Sequence, residues 1–145
     1  MGKRQVSGTR SIAASPETLF QMLTDPAQHP LIDGSGSVRA ARVGGPQRLE
    51  LGSRFSMDMQ LGTQYKILNT VVEFEQDRLI AWRHFNGHRW RWQFEPADGG
   101  RTLVTETFDW STARIPILIT FSPFPRRNKA GIEKSLDRLA SMFPG

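Results

Sequence analysis

Residues 79–94 constrain this chain more than any other stretch. They read Leu79-Ile80-Ala81-Trp82-Arg83-His84-Phe85, then Asn86-Gly87-His88, then Arg89-Trp90-Arg91-Trp92-Gln93-Phe94. Two alternating segments joined at Asn-Gly are the strongest short-range signal for a β-hairpin. Side chains of a strand alternate faces, so Trp90, Trp92 and Phe94 share one face and Arg89, Arg91 and Gln93 the other. Three of the chain's four tryptophans fall here. Such a face either fills a thick core or lines a roomy apolar pocket. With Phe85 opposite Arg89 across a three-residue loop, Ile80, Trp82 and His84 join the tryptophan face. A two-residue Asn-Gly loop would turn Trp82 outward instead. The first register is preferred, because a slip of one residue exposes an indole.

The 145 residues suffice for one domain, expected to span 1–145. A net charge of +5 raises the question of nucleic acid. The nineteen basic residues, however, are interleaved with fourteen acids, and the only dense run is Arg126-Arg127-Asn128-Lys129. A solvated basic surface is expected, with no nucleic-acid partner. The absence of cysteine removes disulfides, zinc-thiolate sites and cysteine nucleophiles. No apolar stretch of signal-peptide length follows Met1, and Ile115–Phe121 is too short to span a bilayer. A cytoplasmic protein without stable membrane association is expected.

Along the chain, Arg4–Ala13 fits a first strand. Ser15-Pro16-Glu17 starts a helix with a serine cap, proline at the first helical position and an acid in the first turn. Asp25-Pro26 ends it and begins a second short helix, Ala27–Leu31, cut by Pro30. Strands then follow at Val38–Val43, Gln47–Leu51, Arg54–Gln60, Tyr65–Phe74, the tryptophan hairpin and Thr102–Trp110. Residues 115–124 are apolar but broken by prolines. Lys129–Phe143 is helical, with Ile132, Leu136, Leu139 and Phe143 in one stripe. The fold class is α+β: a curved antiparallel sheet of about seven strands, two short helices after the first strand, and a long C-terminal helix gripped by the sheet.

Several local sequences carry a resemblance. They are Ser15-Pro16-Glu17-Thr18-Leu19-Phe20, Val72-Glu73-Phe74-Glu75 running into Arg78-Leu79-Ile80-Ala81-Trp82-Arg83, Trp92-Gln93-Phe94-Glu95-Pro96, and Thr105-Glu106-Thr107-Phe108-Asp109-Trp110. With the terminal amphipathic helix, they make the chain similar to the START-like superfamily of helix-grip proteins, in its SRPBCC, polyketide cyclase/dehydrase-like branch. The resemblance covers nearly the whole chain and is specific for fold, poor for function. It implies a largely apolar cavity between sheet and C-terminal helix.

Residues expected to line that cavity are Phe55, Met57, Met59, Ile80, Trp82, His84, Trp90, Trp92, Phe94 and Asp109, with solid core packing as the plain alternative. His84, pointing in among tryptophans, would orient a ligand carbonyl or act as a general base. Asp109 and Glu106 have opposite parity on the last strand, so only one faces inward, and Asp109 is favoured. Tyr65 and Asn69 are further possible ligand contacts. His84 and His88 straddle the turn but lack a third ligand, so no metal is expected. Gly34-Ser35-Gly36 lacks the dinucleotide fingerprint's third glycine, and no cofactor is expected. The function expected is binding of a small apolar, lipid-like or ring-containing molecule. A cyclase/dehydratase-type enzyme using His84 in the same cavity is the second reading. A third uses the apolar segment after the last strand as a protein contact.

Overall fold

The computed structural model describes residues 4–33, 38–41, 48–61, 63–84 and 87–144, with 38–41, 57–61 and 63–67 described by backbone alone. It consists of one seven-stranded antiparallel sheet covered on one face by helices. The strands are β1 (Gln5–Ile12), β2 (Val38–Ala41), β3 (Arg54–Leu61), β4 (Thr63–Glu75), β5 (Leu79–Arg83), β6 (Arg89–Pro96) and β7 (Thr102–Asp109), in the spatial order β1-β7-β6-β5-β4-β3-β2. The helices are α1 (Pro16–Leu23), α2 (His29–Ile32), α3 (Pro116–Thr120) and α4 (Phe124–Ser141). This is the expected α+β helix-grip arrangement.

Local chemistry sets the element boundaries. Ser15 Oγ accepts the Thr18 amide at 3.2 Å and Pro16 opens α1, a cap that satisfies an orphan donor of the first turn. Asp25 caps a 3-10 turn, Pro26–Gln28, in the same way. Pro30 does not cut the second helix as expected. It stands in the first turn of α2, where a missing N–H costs nothing. The strand expected at 47–51 is not formed over 48–51. There the Leu49 amide donates to the Thr24 carbonyl at 2.6 Å, and the Leu49 side chain is buried.

The tryptophan hairpin keeps the expected faces in a corrected register. Trp82 pairs with Trp90 and Arg83 with Arg89. The His84 amide then donates to the His88 carbonyl at 3.2 Å, so the three-residue loop is 85–87, not 86–88. Gly87 explains the offset. Its φ of +96° is the left-handed conformation that closes a three-residue loop, and a Cβ there would lie 2.5 Å from the Thr112 carbonyl oxygen. A bulge between Val71 and Glu73 bends β4, and residues on either side of it resume pairing with β5.

The core lies between the inner face of the sheet and the helices. Phe20 of α1 meets Phe74 and Phe94 edge-on at 5.4 and 5.9 Å. Ile132, Leu136 and Leu139 of α4 are buried against β1 and β7. Helix α4 approaches β1 closely over Gly8, where an added Cβ would meet Ile132 Cγ2 at 2.9 Å and Leu136 Cδ1 at 3.1 Å. On the outer face, Glu73 of β4 and Arg91 of β6 bridge the intervening β5. Arg91 Nε and Nη2 donate to Glu73 at 2.9 and 2.7 Å, passing over Ala81, which pairs with both.

Candidate functional site

The ladder registers assemble the inner face into rows. One runs Val71, Trp82, Trp90, Phe108, Val6 across five strands, and its neighbour runs Phe74, Ile80, Trp92, Glu106, Gly8. In the second row Ile80 and Trp92 are buried, as are Phe94 and Val104 of the next rung, so these residues of the expected cavity lining belong to the core. The first row opens toward the hairpin loop, where Trp90, His84 and His88 are only partly buried.

That end carries the polar groups. His88 Nε2 lies 2.9 Å from His84 Nδ1, and the His88 ring packs edge-on against Phe108 at 5.3 Å. Asn69 shares the face, paired with the buried Phe55. Burial pushes His84 down to about 3, assisted by its neighbour His88, and pushes His88 down to about 4. Both imidazoles are therefore neutral near pH 7. Asn69 Oδ1 and His88 Nδ1 are buried and have no hydrogen-bond partner among the described residues. Buried polar atoms are nearly always bonded, so each such orphan requires a reason.

One residue is unforeseen, His29, and one expectation is reversed, at Glu106. His29 of α2 stacks on Trp82 at 4.9 Å and meets Phe55 edge-on at 5.6 Å, while its Nε2 donates to the Leu23 carbonyl at 2.9 Å. Burial lowers its pKa, and a neutral ring caps the Trp82 end of the aromatic row. No periodicity marked it, because its helix is four residues long. Glu106 is the inward carboxyl of β7, not Asp109. It is 7% exposed, its Oε1 lacks a partner among the described residues, and burial followed by nearby Asp33 pushes its pKa well up.

Asp109 stands on the outer face. Its carboxylate accepts from the Ser111 amide and hydroxyl at 2.9 and 2.6 Å and from Arg91 at 3.3 Å. Burial alone would raise its pKa, but these donors bring it below the usual range. Met57, Met59 and Tyr65 belong to β3 and β4, but their side chains lie outside the described residues, as do Phe85 and Gly34–Gly36. A shallow depression of about 300 Å³ is also on the outer face, lined by Leu79, Gln93, Leu103 and Thr105 among others, away from the aromatic rows. No cluster of three metal-ligating side chains occurs among the described residues, and none of their helices is long and apolar enough to cross a membrane.

An antiparallel sheet whose inner face is covered by a long C-terminal helix and short helices after the first strand defines a helix-grip fold. The model of the family described as "polyketide cyclase / dehydrase and lipid transport" matches residues 3–143, and the chain belongs to that family. It is 39% identical over 147 residues to the uncharacterized protein Rv0088 of Mycobacterium tuberculosis, covering 98% of this chain but 65% of that protein. Among solved structures it is similar to protein Ms6760 of Mycobacterium smegmatis (15% identity, TM-score 0.72, covering 97% and 90% of the two chains). It is also similar to an AHSA1-like protein of Aeromonas hydrophila (22%, 0.66, 95% and 92%). These structural likenesses establish the fold alone.

Proposed function

We propose that the chain binds a small, uncharged, ring-containing or lipid-like molecule at the open end of the aromatic row. Its apolar body would lie against Trp82, Trp90 and Phe108, and its polar group would meet Asn69 and His88. The observation that carries this reading is the pair of buried, unpartnered atoms, Asn69 Oδ1 and His88 Nδ1, on the face that holds the partly exposed Trp90 ring. A ligand hydroxyl or amide would supply the missing hydrogen bonds.

The surroundings select against an anion. The histidines are neutral, and the inward carboxyl of Glu106 neighbours Asp33. Arg10, an inner-face cation at the sheet edge, is bound to Asp137. Arg89 and Arg91 point the other way, to Glu73. A carboxylate ligand would meet no counter-charge among these groups.

The enzymatic reading is weaker on the same geometry. An imidazole whose conjugate acid titrates at about 3 is a poor general base near neutrality. The tests are direct. Native mass spectrometry of freshly purified protein should show a co-purified neutral molecule. In a tryptophan-emission titration, 1-naphthol should bind and 1-naphthoate should bind at least tenfold less tightly. Loss of one hydrogen bond in Asn69→Ala should weaken naphthol binding by roughly three- to tenfold. Binding unaffected by both Asn69→Ala and Trp90→Ala would reject the site.

A further inference from the structure

We propose that the segment joining β7 to α4 is a docking surface for an anionic lipid bilayer. Residues 115–124 contain the greatest concentration of exposed apolar side chains among the described residues. Phe121 is 83% exposed and Leu118 65%, and Ile115, Ile117 and Phe124 are exposed beside them. Exposed apolar groups scattered singly need no explanation, but five within ten residues form a patch.

The patch is held in place. Ile119 and Ala113 are buried in the core, and Trp110 Nε1 donates to Thr120 Oγ1 at 2.9 Å. Helix α3 is thereby tied to the end of β7 by one side while Ile117, Leu118 and Phe121 face solvent. An apolar linker seeking its own core would tuck these residues inward. Here the inward positions are already taken by Ile119 and Ala113.

Charge chooses the occupant. From Trp110 to Ile132 the sequence holds no acidic residue but does hold Arg114, Arg126, Arg127 and Lys129. Lys129 pairs with Glu133 at 2.9 Å, and Arg127 lies over the Phe124 ring at 5.9 Å. Arg114 and Arg126 are exposed and have no acidic partner among the described residues. A protruding apolar tip flanked only by cations matches a bilayer surface, whose phosphates lie above its acyl chains. A protein partner would be expected to offer some acid–base reciprocity, and the patch has cations alone. The contact is interfacial and reversible, and this reading does not depend on the interior ligand.

The experiment uses the full chain with vesicles of phosphatidylcholine and phosphatidylglycerol at 3:1, and with phosphatidylcholine alone. Co-sedimentation is expected with the anionic vesicles, at least tenfold weaker with neutral ones and weakened again in 0.5 M salt. The double variant Leu118→Ser, Phe121→Ser should lose binding at least tenfold with an unchanged melting temperature, since both residues are exposed. Arg114→Gln with Arg126→Gln should weaken it too. In Phe121→Trp, emission should shift to the blue on anionic vesicles and be quenched by brominated acyl chains. Binding that ignores the Leu118, Phe121 double variant would mean a diffuse effect of net charge and overturn the proposal. Absence of vesicle binding would overturn it as well. So would self-association that disappears in the double variant while vesicle binding does not occur, because it assigns the patch to a second copy of the chain.

Discussion

His88 Nε2 and His84 Nδ1 face each other at 2.9 Å, so one ring must donate a hydrogen and the other accept it. Protonating His88 would keep that bond but place a charge beside Phe108, and protonating both rings would leave the bond without an acceptor. The two tautomeric arrangements differ at His88 Nδ1, which is an acceptor when Nε2 donates and a donor when it accepts. The same atom can therefore serve a ligand hydroxyl or a ligand carbonyl.

Acid should destabilise the protein early. In the folded chain His84 and His88 titrate at about 3 and about 4, against an ordinary 6.5. Below pH 6.5 the unfolded chain takes up protons that the folded chain refuses. Stability therefore falls from pH 6.5 toward pH 4 and levels off below the folded values. By pH 5 the loss is of order 2–4 kcal/mol for the pair. Urea unfolding at pH 7 and pH 5 would show it. A matching loss in His84→Asn/His88→Asn would assign it elsewhere.

Glu106 works in the opposite direction. Its raised folded pKa means that its contribution is complete below the ordinary value of 4.5 and is lost as pH rises toward the folded value. Glu106→Gln keeps the shape without the charge. It should be more stable than the parent at pH 8, with the difference shrinking toward pH 5. A variant less stable at pH 8 would show that the carboxylate has a favourable partner.

Gly8→Ala tests how α4 is seated. The new Cβ would press on Ile132 and Leu136 at about van der Waals-violating range, and Glu133 Oε1 lies 2.9 Å away. Only the carboxylate can swing clear. Overpacking of this kind costs about 1–3 kcal/mol. Thermal melting should fall accordingly, and an unchanged melting temperature would show that the helix is free to shift.

Trp82→Leu separates packing from recognition at the other end of the row. Its ring is stacked on His29, so the variant removes that contact as well as a wall of the proposed site. A loss of roughly 2–4 kcal/mol is expected on urea unfolding. His29→Leu should lose less, because it restores apolar volume under Trp82 but leaves the Leu23 carbonyl without its donor. Equal losses would mean that the imidazole matters only through its hydrogen bond.

Alternation along residues 79–94 was enough to place the tryptophans, because the buried face of a sheet tolerates no slip of one residue. It could not locate the loop. That depends on Gly87 fitting beneath the Thr112 carbonyl, a contact between residues far apart in sequence. Parity states correctly that one of Glu106 and Asp109 faces inward, yet a carboxyl on the buried face runs against ordinary burial preferences, so parity alone does not pick Glu106. The ion pairs with Arg91 that draw Asp109 outward join different strands, and no local pattern announces them. Likewise the prolines of 115–124 signalled interruption. Pro116 in fact opens helix α3, and Pro123 caps α4, with Pro125 following in its first turn, where proline fits.

The bridge from Glu73 to Arg91 ties three strands together from behind, and it can do so only because residue 81 is a methyl group. Strand β5 is thus enclosed by backbone ladders on both edges and by a charged strap across its back. Its amides should be among the slowest in the molecule to exchange with deuterated water. Ala81→Val would lift that strap and let exchange in the middle of the sheet accelerate without disturbing a single aromatic ring on the opposite side.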